Sequence, residues 1–236
     1  MPKAADVSQS RRIEVGAERR SRSRLRLLRA AADLLGTQDG GNIRLSDILK
    51  SARISRGTFY NHFTSLTEFH HTLSDALSRE FDHSVNQAFA QMSGAAEESA
   101  AGLRYYLYAA AQNPKWGWVM VNTMKGPAFF GHAVYDNATK NLDRGIASGE
   151  LELPDAAMGR DILFGIAITS MYRLLSEEAP EGYIEEIASR LLIAYGLSVE
   201  KARDIANRPL PPLPALSGDD QHIIDIPRIT VPDAKG

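Results

Sequence analysis

The sequence predicts an all-α fold, and three observations carry that prediction. Apolar residues recur at helical spacing in one segment after another. Ser and Asp stand where helices would start, and Gly, Asn-Pro and Ala-Pro stand where they would stop. The composition, 44% hydrophobic and 24% charged over 236 residues, is that of an ordinary globular chain able to bury one large core or two modest ones. No apolar run approaches the length of a membrane span, and the polar, Arg-rich N-terminus lacks the apolar stretch of a secretory signal. The absence of cysteine excludes disulfides, thiolate zinc sites and cysteine nucleophiles, and fits a reducing cytoplasm.

Residues 1–20 hold Pro2, Gly16 and scattered charges with little apolar periodicity, which predicts a flexible arm. Arg11, Arg12, Arg19 and Arg20, with Arg22 and Arg24 beyond, make it basic enough to lie along phosphates. A helix follows from about residue 23, with Leu27, Leu28, Ala31, Leu34 and Leu35 on one face, and it stops at Gly36. Leu45, Ile48, Leu49 and Ala52 then mark a short amphipathic helix. Arg53 and Ile54 interrupt it, and Ser55 caps a second short helix over 56–63. Phe59 and Phe63, four apart, face inward, which leaves Arg56, Thr58, Tyr60, Asn61 and His62 largely on the other faces. Those outward groups suit phosphates and base edges: Arg reads guanine, Asn reads adenine and the Thr methyl meets thymine. The pattern predicts a helix-turn-helix reader. Tyr60 also allows an ordinary packing role. Ser65 caps a longer helix through Phe69, Leu73, Leu77, Phe81 and Val85 to about residue 92.

Charge is divided along the chain. Residues 1–80 carry 14 Lys+Arg against 9 Asp+Glu, a net of +5, so the remainder carries −7 of the total −2. A basic end on an acidic body suits one polyanion-binding end and one end with another task.

Residues 23–73 resemble the N-terminal domain of the TetR (tetracycline-repressor-like) family of bacterial transcriptional regulators. The first helix carries Leu27-Leu28-Arg29-Ala30-Ala31-Ala32-Asp33-Leu34-Leu35, and the second carries Asp47-Ile48 with Ala52 before the turn. The turn and reader appear as Ile54-Ser55-Arg56-Gly57-Thr58-Phe59-Tyr60-Asn61-His62-Phe63. The resemblance implies an N-terminal three-helix DNA-binding domain and a larger C-terminal helical bundle used for ligand binding and dimerisation. It places Tyr60 and His62 on the DNA backbone, Ser46 at a base-reading position, and Gly57 where the backbone approaches closely. Ser55 and the helix start face a phosphate, and Arg44 is a further candidate contact. Three positions depart from the family pattern: Arg53 replaces the usual turn Gly, Leu49 a small residue, and Leu66 the phosphate-binding Lys that opens the fourth helix.

Beyond residue 92 the spacing predicts helices over 97–112, 132–148, 155–176 and 183–197, with breaks at Asn113-Pro114, Gly126-Pro127, Gly149 and Ala179-Pro180. The 155–176 helix is apolar nearly all round, which predicts burial on more than one side, as an internal core helix or in an interface. The family resemblance implies that it and the last helix pair with their symmetry mates in a homodimer. Tyr105, Tyr106, Trp116, Met120, Met124, Phe130, Phe164 and Tyr172 concentrate aromatic and flexible apolar surface in the middle helices, the composition of a cavity for an apolar or aromatic small molecule. Plain core packing explains the same residues equally simply. After Ala206 the Pro-rich run Pro209 to Pro214 predicts an extended tail, disordered or draped over the surface.

The expected division is therefore a basic arm over 1–20, a reader over 21–64, a ligand and dimerisation domain over 65–206 and a tail over 207–236. No HExxH, GxSxG, P-loop or GxGxxG motif is present, so neither an enzyme nor a metal or cofactor site is expected. The expected partners are double-stranded DNA bearing a palindromic operator, a small-molecule effector and a second copy of the chain, with no membrane. The rival reading is a helical small-molecule-binding or scaffold protein whose DNA-binding motif has lost activity.

Overall fold

A computed structural model describes residues 4–123, 131–214, 223 and 229–230, with side chains from residue 15 onward. Ten α-helices and one short 3-10 turn make up the described residues, which contain no strand.

Helix α1 runs Ala4–Leu35. Residues 4–20, expected as a flexible arm, are instead its first turns. Pro2 precedes the helix, and the Ala, Arg and Glu that dominate the segment are strong helix formers even without an apolar face. Glu18 and Arg22, one turn apart at 3.0 Å, add a weak solvent-exposed pair. After the 3-10 turn Gln38–Asn42 comes α2, Leu45–Ala52, where the Asp47 carboxylate accepts the Arg44 N–H at 3.0 Å. Helix α3 is Arg56–Tyr60, shorter than the expected 56–63. Ser55 Oγ accepts the Thr58 N–H at 3.1 Å, and the chain then tightens so that His62 and Phe63 both donate to the Phe59 carbonyl. Helix α4, Leu66–Phe89, starts on a Ser65 cap that accepts the Glu68 N–H at 3.0 Å.

The turn between α2 and α3 holds the one strained backbone among the described non-glycine residues: Arg53 sits at φ 53°, ψ 48°. A left-handed L-residue costs about 1–2 kcal/mol, which a glycine avoids. Arg53→Gly is therefore expected to stabilise the reader by about 1 kcal/mol in a thermal melt, after the entropy glycine loses on folding. A lower melting temperature would show that the arginine side chain outweighs the strain.

The body contains α5 (Ala95–Gln112), α6 (Pro114–Asn122), α7 (His132–Ala147), α8 (Ala156–Ser176), α9 (Tyr183–Ala194) and α10 (Val199–Ala206). Helix α5 starts at Ala95 because Glu150 reaches across and accepts the Ala95 and Ala96 N–H groups at 2.8 and 3.1 Å. It is the central helix, packing on α6, α7, α8, α9 and α10. The sequence merged residues 183–197 into a last helix and left α10 unseen. Gly196, at φ 91°, ends that run, and Ser198 caps α10 by accepting the Lys201 N–H at 3.3 Å. The described part of the tail lies against the body: Leu210 and Leu213 pack on the core, Arg104 donates to the Arg208 carbonyl at 2.8 Å, and Gln112 bonds the Thr230 backbone in both directions at 2.8 Å. No described helix is long and apolar enough to cross a membrane.

Candidate DNA-reading face and effector cavity

The outward side of α2 and α3 carries the residues singled out from the sequence. Arg44, Ser46, Ser55, Arg56, Gly57, Tyr60 and Asn61 are exposed, and Thr58 and His62 are half-buried. What holds this face out is an aromatic base: Phe59, Phe63 and Phe69 are buried with ring centroids 5.0–5.4 Å apart. Tyr60 is 46% exposed and touches that base only edge-on through Phe59, so a core role does not describe it. The Arg56 guanidinium lies 5.9 Å from the Tyr60 ring. The Ser55 hydroxyl is engaged in the cap and with Thr58 Oγ1 at 2.9 Å, which leaves its backbone as the outward group. His62 Nε2 is 2.7 Å from Ser23 Oγ; burial first, then the charges of Arg24 and Arg20, lower its pKa and favour the neutral ring. A cationic rim of α1 thus stands beside the reader. Leu66, at the lysine position of the family pattern, is 43% exposed.

The body holds a cavity of about 70 Å³ between α4, α5, α7 and α8. Of the residues named from the sequence, Tyr106 and Phe164 line it, while Tyr105, Trp116, Met120 and Tyr172 do not. Tyr105 is buried with its hydroxyl donating to the Pro211 carbonyl at 2.5 Å, so the tail occupies it. Trp116 packs on Phe81 and Tyr106 and donates its indole N–H to the Leu77 carbonyl at 3.2 Å, a satisfied core residue. Met120 is buried core, and Tyr172 is 48% exposed against the edge of Trp118. Met124 and Phe130 lie outside the described residues.

The cavity's polar lining was not foreseen. Asp82, Asn86, Ser99, Asn137 and Asn141 reach it among Val85, Phe89, Leu103 and Leu142. Asn137 donates to Asp82 Oδ2 at 3.0 Å, and Asn141 donates to the Ala95 carbonyl and to Ser99 Oγ at 3.1 and 2.9 Å. A legible signal existed: Asp82 and Asn86, and again Asn137 and Asn141, sit one turn apart on otherwise apolar helix faces.

Burial raises the Asp82 pKa, and the amides of Asn137 and Asn86 and the charge of His83 offset only part of it. The buried Tyr106 hydroxyl is pushed up as well, by burial and by the Asp82 charge. A carboxyl whose folded pKa is raised adds stability below its unfolded pKa of about 3.9, and loses it as pH rises through the folded value. Asp82→Asn is therefore expected to match the native melting temperature near the acid end and to exceed it at neutral pH. A variant less stable at neutral pH than at acid pH, relative to native, would contradict the assignment.

A direct link joins body and reader. Asn122, at the end of α6, donates to the Leu35 and Thr37 carbonyls at 2.8 and 2.7 Å, closing the C-terminal end of α1. Lys115 and Asp33 add an exposed pair at 2.6 Å. Gly40 permits this approach, since a Cβ there would stand 2.5 Å from the Leu35 carbonyl oxygen. Behind the reader, a polar hollow of about 410 Å³ opens between α1 and α4, lined in part by Arg24, Thr72, Asp75 and Arg79.

Comparison with known proteins agrees with this arrangement. Residues 27–69 match the bacterial regulatory proteins of the tetR family, and residues 94–208 match a tetracyclin repressor-like C-terminal domain. No curated protein matches the chain by sequence. Among solved structures, RolR in complex with resorcinol superposes with a TM-score of 0.66 at 24% identity, over 84% of this chain and 100% of that one. A TetR-family regulator from Syntrophomonas wolfei gives 0.54 at 19% identity, over 75% and 96% of the two chains. FadR from Bacillus subtilis in complex with stearoyl-CoA gives 0.53 at 17%, over 73% and 98%. An N-terminal match that spans the reader, a C-terminal match that spans the cavity helices and the shared fold lead to one assignment: the chain belongs to the TetR family of bacterial regulatory proteins.

Proposed function

We propose that the chain is a sequence-specific DNA-binding regulator that acts as a homodimer and releases its operator when a small molecule enters the cavity. The observation that carries this reading is the exposed face of α3, where Arg56, Thr58, Tyr60 and Asn61 stand on a buried aromatic base. Arg56, Thr58, Asn61 and Ser46 read bases, while Arg44, Ser55, Tyr60 and His62 hold the phosphates and Gly57 allows close approach. Two copies paired through α8 and α9 present two readers to a palindromic operator. In support, α8 leaves Met158 and Tyr172 exposed and Ile162, Ile166 and Ile168 only half-buried on one chain.

RolR and FadR carry resorcinol and stearoyl-CoA in the structures named above. A cavity of about 70 Å³ suits the smaller kind of ligand. Cavity helices α4 and α5 lead to the reader through α4 itself and through the Asn122 closure of α1. A ligand that prefers the reader spacing unable to span the operator lowers occupancy by its differential affinity for the two states.

The test is a gel shift with DNA flanking the chain's own gene. Native protein is expected to bind one fragment with steep salt dependence, and Arg56→Ala to lose about 1–3 kcal/mol and relax one base position. Arg56→Ala with full sequence preference would remove that residue from the base-reading set. Absence of any salt-sensitive, sequence-specific binding would favour the rival scaffold reading, for which Leu66 in place of a phosphate-binding lysine and Arg53 in place of the turn glycine are the motivation.

A further inference from the structure

We infer that the cavity between α4, α5, α7 and α8 takes a neutral single-ring compound bearing at least one hydroxyl group, which donates its hydrogen bond to the Asp82 carboxylate. The inference rests on the effector-cavity reading above and specifies its chemistry.

Size sets the first limit. A cavity of about 150 Å³ holds a benzene molecule, and drug-sized ligands need about 300 Å³ or more. At about 70 Å³ the space admits one ring after modest side-chain movement and excludes a long acyl chain. The walls suit a planar ring: Phe89, Leu103, Tyr106, Leu142 and Phe164 face the space, and Phe164 is backed by a stacked Tyr135 at 6.0 Å.

Charge sets the second. Among the described residues, two carboxylates, Asp82 and Glu98, reach the lining, and no Lys or Arg does. Glu98 is already paired with Arg144 at 2.6 Å. Among the described residues Asp82 has no arginine or lysine partner; it receives the Asn137 amide at 3.0 Å, and a carboxylate offers about four lone-pair sites. An anionic ring would meet acid without a compensating cation, and burying that charge is costly. An ammonium would itself have to leave water, and the cost of desolvating two charges can exceed the attraction between them. A hydroxyl donates to the carboxylate with no charge of its own to desolvate. It can also accept from a neighbouring amide, since Asn86 and Asn137 line the same space.

The experiment is calorimetric titration of the full chain with toluene, phenol, resorcinol, benzoate and benzylamine. Native protein is expected to bind resorcinol about tenfold or more tightly than toluene, the worth of a hydrogen bond to a charged group. Asp82→Asn should remove about tenfold of the resorcinol affinity and leave toluene within about twofold. Ala138→Leu, which fills the cavity, should weaken both. Benzoate or benzylamine binding as tightly as resorcinol overturns the inference, as does an Asp82→Asn variant that binds resorcinol like native. If toluene binds and is lost in Ala138→Leu while hydroxylated rings bind no better, the ligand chemistry is wrong and the cavity reading survives. If no ring binds, or Ala138→Leu changes nothing, the cavity reading fails and this inference with it. The ranking on the native chain decides the chemistry even where a variant does not fold.

Discussion

Phe59→Ala is expected to cost the reader about 3–5 kcal/mol and to abolish DNA binding while the body stays folded. Phe59 is fully buried, 5.4 Å from both Phe63 and Phe69, and these rings are the floor on which α3 rests. Domains are stable by only about 5–15 kcal/mol, and α3 is a five-residue helix unable to persist without tertiary support. Hydrogen exchange should show protection lost across α2 and α3 and retained in α5 and α9. Phe59→Leu, which keeps most of the volume, should cost far less and retain binding. A Phe59→Ala protein that still gel-shifts with native affinity would mean that the aromatic floor does not position the reading face.

Arg104→Ala is expected to destabilise the body strongly. The side chain is almost wholly buried, donates to the Arg208 carbonyl at 2.8 Å and reaches Glu185 at 3.4 Å, and Glu185 also accepts the Tyr108 hydroxyl at 2.5 Å. Burial and the Glu185 contact both hold the Tyr108 hydroxyl protonated far into the alkaline range. Removing one partner of a buried pair strands the other, at a cost of about 3–5 kcal/mol. Glu185 keeps a fifth of its side chain exposed, so the lower end applies. The double variant Arg104→Ala/Glu185→Gln should recover part of the loss in a denaturant melt, because no charge is then left without a partner. A double variant as unstable as the sum of the singles would show that the Arg208 carbonyl, and hence the tail, is the contact that matters.

The helices themselves were readable because apolar residues and caps announce them independently. Leu27, Ile48 and Phe59 mark buried faces, and Ser55, Ser65 and Asp155 accept the backbone N–H groups their positions call for. The first turns of α1 were not readable from apolar periodicity, since residues 4–20 show little of it and rely on helix propensity. Helix α10 is too short to show a period, with Ala202, Ile205 and Ala206 as its whole apolar face. At the reader, local sequence and site coincide, because α2, the turn and α3 are contiguous. The cavity is assembled from four separated helices, and aromatic content was a poor guide to it. Trp116 and Tyr105 fill core and tail contacts, whereas Asp82, Asn86 and Asn137, which look like solvated residues in sequence, turn inward. Asn122 was invisible for the same reason: its partners, Leu35 and Thr37, are more than eighty residues away.

The central claim is that the exposed face of α3 reads DNA sequence, and selection from a random-duplex or genomic-fragment pool tests it most directly. Native protein is expected to enrich a two-fold-symmetric motif, and an Arg56→Ala/Asn61→Ala variant of unchanged melting temperature to lose that motif while keeping weak, salt-sensitive binding. No enriched motif with native protein, or the same motif with the variant, would contradict the account.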